Sequence, residues 1–346
     1  MPSLEPESTF AYHGLETETN GVAHAEAVKA LIKQYLDAVH FDRSLPFIKD
    51  RDLEAAMWTY FTSLNMGART EASVKKALKL SATLTHQAYT NLPFDNKVAC
   101  AVQILYMFLV DDIAEDFMDE LRCFCQKCIS DEYSFTLNAP HKHPLLSNFD
   151  AHLRSLSRFY GPYCHSTIIK SLFDYVNGRI IEHEMERSNF RFHRAARLMP
   201  MFLRTKVGAA EILVSMMWPQ AAFPEQEGCL MQYFPAVQEL VLFIDFTNDI
   251  LSYYKEFVVR QESGNFVANF AETHGLSHLD VLRHLVGYAP KVLDAAYQIL
   301  EGKEEMLATV RTFVNGWIML CTGHRRYYLV ELFEKEGYLP PYDEDA

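Results

Sequence analysis

An all-α fold is predicted by three observations. Apolar residues recur at helical rather than alternating spacing through the long segments. Glycine and proline number only 14 each in 346 residues, and no stretch rich in proline, glycine or serine divides the chain. The first two exclude a chain of short strands and tight turns. The third favours one large domain, a single helical bundle, although the length exceeds the usual single-domain size. Candidate helices cover most of 23–335. Residues 1–22 read as a flexible N-terminal tail, acidic and without Lys or Arg up to Asn20, so neither a secretory signal nor a transit peptide is expected there. Residues 336–346 read as a C-terminal tail.

Taken in order, Asp50 to Gly67 forms the first well-marked amphipathic helix, with Leu53, Met57, Trp58, Phe61 and Leu64 on its apolar side, and Ala72 to Thr90 forms the next. Leu92-Pro93 breaks the chain, because proline lacks an N–H and clashes with the preceding turn. Val98 to Val110 holds almost no polar residue and predicts a helix buried on all sides. It is too short for a membrane span, which needs about 20 residues. That run ends in Asp111-Asp112-Ile113-Ala114-Glu115-Asp116. Pro140 to Pro144, with His141 and His143, marks a loop. Glu182-His183-Glu184-Met185-Glu186 reads as a solvated charged face, since a di-iron bundle needs Glu-x-x-His on two helices.

The formal net charge of -13 argues against nucleic acid, whose phosphates are held by clustered Lys and Arg. An anionic ligand would need cations to bridge it to such a chain. Seven cysteines suggest reduced thiols and a cytoplasmic setting. Cys123, Cys125 and Cys128 lie close together but lack a fourth zinc ligand at the usual spacing, so free thiols are the expectation.

Two acidic clusters carry the chemistry. On a helix, residues four apart lie about 40° apart around the axis, which puts Asp111 and Glu115 on one face. A second stripe follows in Asn248-Asp249-Ile250-Leu251-Ser252-Tyr253-Tyr254-Lys255-Glu256, where Asn248, Ser252 and Glu256 recur at four-residue steps. Such stripes present several oxygens to a hard cation. Magnesium takes oxygen ligands, keeps waters and shares its shell with substrate phosphates. Two basic segments accompany them: Arg204 in the otherwise apolar Met199-Pro200-Met201-Phe202-Leu203-Arg204-Thr205-Lys206-Val207-Gly208, and His324-Arg325-Arg326-Tyr327-Tyr328.

With these four segments in this order, residues 90–335 resemble class I terpene synthases, and most closely the trichodiene synthase family of fungal sesquiterpene cyclases. The resemblance rests on DDIAED, on FLRTKVG followed by Trp218-Pro219, on NDILSYYKE and on the RRYY end. It implies three Mg2+ ions, with Asp111 and Glu115 on one side and Asn248, Ser252 and Glu256 holding the third ion. It implies Arg204 as diphosphate sensor, and Lys255, Arg326 and Tyr327 as further diphosphate donors. The first motif has Glu115 where an aspartate is commoner, followed by Asp116, and which of the two approaches metal stays open; Asp112 is the residue that ties back to an arginine. Gly208 falls where the family breaks a helix and turns a carbonyl to the cavity. A homodimer is a common state of such proteins.

The implied activity is magnesium-dependent ionisation and cyclisation of farnesyl diphosphate. Metal ions and preorganised donors stabilise the leaving diphosphate, and apolar walls enclose the carbocation, with Ile104, Met107, Phe108 and Ile244 as candidate lining. Aromatic residues make up 13% of the chain and offer faces to a cation. The rival readings are a chain-elongating prenyl diphosphate synthase, which carries a second aspartate-rich motif where this chain has Asn, Ser and Glu, and a non-catalytic helical scaffold.

Overall fold

The computed structural model describes residues 21–129, 141–262 and 264–341. The N-terminal tail lies almost wholly outside these residues. Fifteen α-helices order the described chain: α1 (Gly21–Ala38), α2 (Arg51–Ser63), α3 (Ala68–Ala88), α4 (Phe94–Ile113), α5 (Met118–Ile129), α6 (Pro144–Ser155), α7 (Pro162–Ser188), α8 (Met199–Val207), α9 (Ala210–Ser215), α10 (Cys229–Tyr233), α11 (Val237–Tyr253), α12 (Phe266–His274), α13 (His278–Ile299), α14 (Glu304–Gly323) and α15 (Leu329–Leu332). No strand ladder occurs among the described residues; a lone bridge pairs Tyr160 with Pro219.

Local chemistry sets the boundaries. Asp50 caps α2 by accepting from the Leu53 N–H at 2.9 Å, which satisfies one of the first-turn donors, and Leu53, Met57 and Phe61 form the buried face. Pro93 stands immediately before α4, at the expected break. Helix α4 is buried from Ala99 through Met107, so it is a core helix packed by α2, α3 and α6. Tyr106 stacks on Phe149 of α6 at 4.5 Å. Helix α14 crosses α3 in near-contact: a side chain at Gly316 would run into the backbone of Gln87, so only glycine allows that approach.

Helix α11 is the second core helix, lying against α9, α13 and α14. The run Cys229–Val259 is long and apolar enough to cross a membrane by composition alone. In this fold it holds the buried charges Asp245, Asp249 and Lys255 inside the bundle, which is no arrangement for lipid. The N-terminal helix is tied to it: Tyr35 Oη and Thr247 Oγ1 lie 2.5 Å apart in the dry interior. At the other end of the chain, the part of the expected tail 336–346 that lies among the described residues, up to 341, packs instead. Glu336 pairs with Lys29 and Lys33, and Leu339 is buried, so the ordered bundle runs past 336.

Candidate active site

Two helix ends and one turn build the site. Asp111 and Asp112 occupy the last turn of α4. The register of α4 against α7 is set one turn earlier, where the buried Tyr175 hydroxyl donates to the Met107 carbonyl at 2.9 Å. Four residues on from each partner, Arg179 Nε stands 3.5 Å from Asp111. Arg179 also holds Glu182 at 2.5 Å, and these two carboxylates raise its affinity for its proton against the cost of burial.

The second end is α11. Asn248 and Ser252 lie on regular α-helix, but Tyr254–Val259 continues as a π-helical turn in which the Arg260 N–H reaches back to the Lys255 carbonyl. Such wide turns are rare and occur frequently at functional sites. Glu256 therefore sits on the wide turn and not on a uniform α stripe, and Lys255 Nζ pairs with it at 3.0 Å.

The third part is the 3-10 turn Arg325–Tyr327 after α14. His324 opens it by accepting from the Arg326 N–H through Nδ1 at 3.1 Å. Burial first, and then the Arg326 and Arg325 charges, push the His324 pKa down to about 4, which keeps it a neutral acceptor. Arg326 then reaches Asp111 at 3.4 Å and Asp112 at 3.8 Å, while its neighbour Tyr327 receives Asn248 Nδ2 at 3.5 Å. One dipeptide thus touches both acidic motifs. Beneath Arg326, the Phe108 ring centroid lies 5.9 Å from its guanidinium carbon. Ile104, Met107 and Ile244 are buried in the same core.

Arg204 is held differently. Its Nε donates to both oxygens of Asp249 at 2.9 and 3.0 Å, its Nη1 pairs with Asp245 at 3.1 Å, and its Nη2 donates to the Asp245 carbonyl at 2.9 Å. All three residues are buried. Burial outweighs the pull of the guanidinium and raises Asp245 to about 6 and Asp249 to about 7. Gly208 serves this cluster by close approach: a side chain there would run into Asp245 Oδ1 and Arg204 Nη1. The left-handed residue at the break between α8 and α9 is the next one, Ala209, with φ 51°.

One geometric expectation fails. The α geometry of α4 ends at Ile113, whose φ of -131° leaves the helix, and Ala114–Asp116 is a 3-10 turn, so Asp111 and Glu115 do not share a face. Glu115 binds His183 Nδ1 at 2.7 Å and Asp116 binds Arg69 at 2.6 Å. Both line a separate polar cleft of about 570 Å3 together with Arg122, His183 and Arg187. Within the charged stretch at 182–186, Glu182 and Glu184 pair with Arg179 and Arg122 and His183 bonds Glu115, while Glu184 and Glu186 stay exposed on a solvated face.

Sequence reasoning missed two pairs of this site. Asp245 and Asp249, four apart in an apolar helix beside a lone arginine, carried a readable signal. Arg179 and Glu182, three apart, carried a weaker one.

A family model described as trichodiene synthase (TRI5) matches residues 61–340. The chain belongs to the trichodiene synthase family. Similar proteins include monoterpene synthase 25 of Postia placenta, 26% identical over 88% of this chain and 86% of that protein, and the (E)-beta farnesene synthase of Metarhizium brunneum, 23% identical over 87% and 88%. The trichodiene synthase of Trichoderma arundinaceum is 26% identical over 68% of this chain and 58% of its own length. Among solved structures, the linalool/nerolidol synthase of Streptomyces clavuligerus with 2-fluorogeranyl diphosphate has a TM-score of 0.57 at 12% identity, over 77% of this chain and 96% of that one. Hedycaryol synthase in complex with nerolidol has 0.56 at 14%, over 81% and 98%. These share the all-α fold of class I terpene synthases. The chain is thus a terpene cyclase, a lyase acting on prenyl diphosphates.

Proposed function

We propose that this trichodiene synthase family member ionises farnesyl diphosphate in a magnesium-dependent reaction and cyclises it to a C15 hydrocarbon or alcohol, with release of diphosphate. The observation that carries the reading is the Arg326-Tyr327 dipeptide, which joins Asp111 and Asp112 to Asn248 and so gathers cations and carboxylates at one end of an apolar core.

The donors fit magnesium. Asp111, Asn248, Ser252 and Glu256 offer oxygen only, as a hard cation requires. Ser252 Oγ is buried without a hydrogen-bond partner among the described residues, and Asn248 spends its amide N–H on Tyr327, which leaves its carbonyl oxygen available. These four residues would hold three ions, and the ions would neutralise charge on the departing diphosphate. Arg326, Tyr327 and Lys255 donate hydrogen bonds to the diphosphate. Arg204 completes this set as its sensor, exchanging part of its carboxylate shell for phosphate oxygens. Phe108 with Met107, Ile104 and Ile244 excludes water and presents an aromatic face to the cation. The seven cysteines, all free thiols, suit a reducing compartment such as the cytoplasm.

The test is incubation of purified protein with farnesyl diphosphate and Mg2+, followed by gas chromatography and mass spectrometry, with geranyl and geranylgeranyl diphosphates in parallel. A cyclic C15 product that disappears with chelator is the expected result. A product from geranyl diphosphate alone would move the substrate to C10, and no product from any of the three would overturn the reading.

A further inference from the structure

Away from this site, the end of α5 and the start of α6 bring together an unlike set of donors. Cys128 in the last turn of α5, His141 ahead of α6 and Asp150 in the second turn of α6 place a sulfur, an imidazole nitrogen and a carboxylate oxygen within 4.8 Å of one another. Four-coordinate zinc, with bonds of 2.0–2.3 Å, sets its ligand atoms about 3.3–3.8 Å apart. Side-chain rotation of about 1 Å closes that difference.

Three features mark the set as a ligand site and not a chance meeting. Both ring nitrogens of His141 are buried and have no hydrogen-bond partner among the described residues, while the ring itself is fixed against Phe124 at 5.2 Å between centroids. A buried imidazole with both nitrogens unmatched lacks a partner that a cation would supply. The Asp150 carboxylate and the Cys128 thiol stand side by side within reach of that ring. Finally, Arg154 braces the pair from outside: its Nε donates to Asp150 Oδ1 at 3.0 Å and its Nη2 donates to the Cys128 carbonyl at 2.7 Å. Support of this kind orients metal ligands.

We propose that Cys128, His141 and Asp150 bind a thiophilic divalent cation, zinc by its ligand chemistry, with water in the fourth position. Thiolate and imidazole select zinc over magnesium, so the site is chemically separate from the oxygen site at Asp111 and Asn248. On binding, the Cys128 proton passes to solvent, and thiolate and carboxylate together neutralise the ion. The consequence is a clasp joining α5 to α6. The sequence reading rejected zinc for Cys123, Cys125 and Cys128; the clasp uses one of these cysteines and recruits two ligands far from CxxC spacing.

The test uses the full chain, stripped of transition metals and kept in excess Mg2+. Titration with Co2+ is expected to give a thiolate-to-cobalt charge-transfer band that saturates at one equivalent, is displaced by Zn2+ and is unmoved by further Mg2+. Cys128→Ser and His141→Ala abolish the band, and Cys123→Ser retains it. In the wild-type chain, Zn2+ slows alkylation of Cys128 by at least about tenfold and leaves Cys123 unprotected. Absence of the band in wild type, or its persistence in both ligand variants, overturns the proposal. Should the variants fail to fold, equal alkylation of Cys128 with and without Zn2+ in the wild-type chain overturns it alone.

Discussion

Two arginines of the candidate site, Arg204 and Arg326, are held in opposite ways. Arg204 is dry and saturated, with four contacts between 2.9 and 3.1 Å to Asp245 and Asp249. Arg326 is partly open to solvent and makes only long contacts, 3.4 Å to Asp111 and 3.8 Å to Asp112. A short buried pair is costly to separate, because each charge left alone in the interior is unsolvated. A long, half-solvated pair exchanges partners at little cost. The difference teaches that the α11 side is architecture first, while the Arg326 side is the one whose donors are free to turn, as the proposed diphosphate binding requires.

The largest effect is expected from breaking the saturated side. Arg204→Met leaves Asp245 and Asp249 buried without their cation and costs about 3–5 kcal/mol of stability, read as the shift in urea midpoint. A variant as stable as wild type would show that the two carboxylates are neutral at rest and that the pair is no keystone.

Next comes the open side. Arg326→Gln should lower kcat by about 10²–10³-fold, the value of one preorganised donor, while stability moves by no more than about 0.5 kcal/mol. Loss of stability in step with activity would erase the contrast between the two arginines.

The fold was legible in the sequence because helical periodicity and a scarcity of breakers are local properties, and α2, α3 and α4 lie where the apolar spacing placed them. The position of Asp111 and Asp112 at the end of the buried run was legible too, because an apolar helix that closes on carboxylates is read directly along the chain. What stayed hidden was wherever the helix stopped being an α-helix: Ile113 ends the period before Glu115, and the π turn at Tyr254–Val259 displaces Glu256 from the stripe of Asn248 and Ser252. Partners supplied by another element were hidden too. Nothing local says that Arg179 will face Asp111, or that His141 will meet Cys128 and Asp150.

A smaller effect concerns pH. Burial lifts Asp245 to about 6 and Asp249 to about 7, above the ordinary unfolded value near 4. The folded chain therefore holds protons that the unfolded chain releases. The stability these groups contribute is complete below about pH 4 and is lost as pH rises through 6 to 7, at no more than about 1.4 kcal/mol per pH unit for each proton. Relative to wild type, Asp249→Asn should flatten the fall in urea midpoint between pH 4.5 and 7; an unchanged slope would mean that Asp249 is ionised throughout.

The smallest effect sharpens the boundary of the site. Glu115 faces the cleft with His183 and Arg187, and its four-residue relation to Asp111 is interrupted at Ile113. Glu115→Gln keeps the side-chain shape and a hydrogen bond to His183, so both stability and kcat should stay within about 0.5 kcal/mol of wild type, roughly twofold in rate. Asp111→Asn at the same helix end removes a carboxylate that touches both Arg179 and Arg326, and it should cost far more. If the two variants instead lost activity equally and both raised the magnesium requirement, the 3-10 turn Ala114–Asp116 would have to rewind to α-helix when ligand binds, carrying Glu115 round to the Asp111 face. The same first motif would then be folded for ligand on its first two residues and recruited by ligand on its last two.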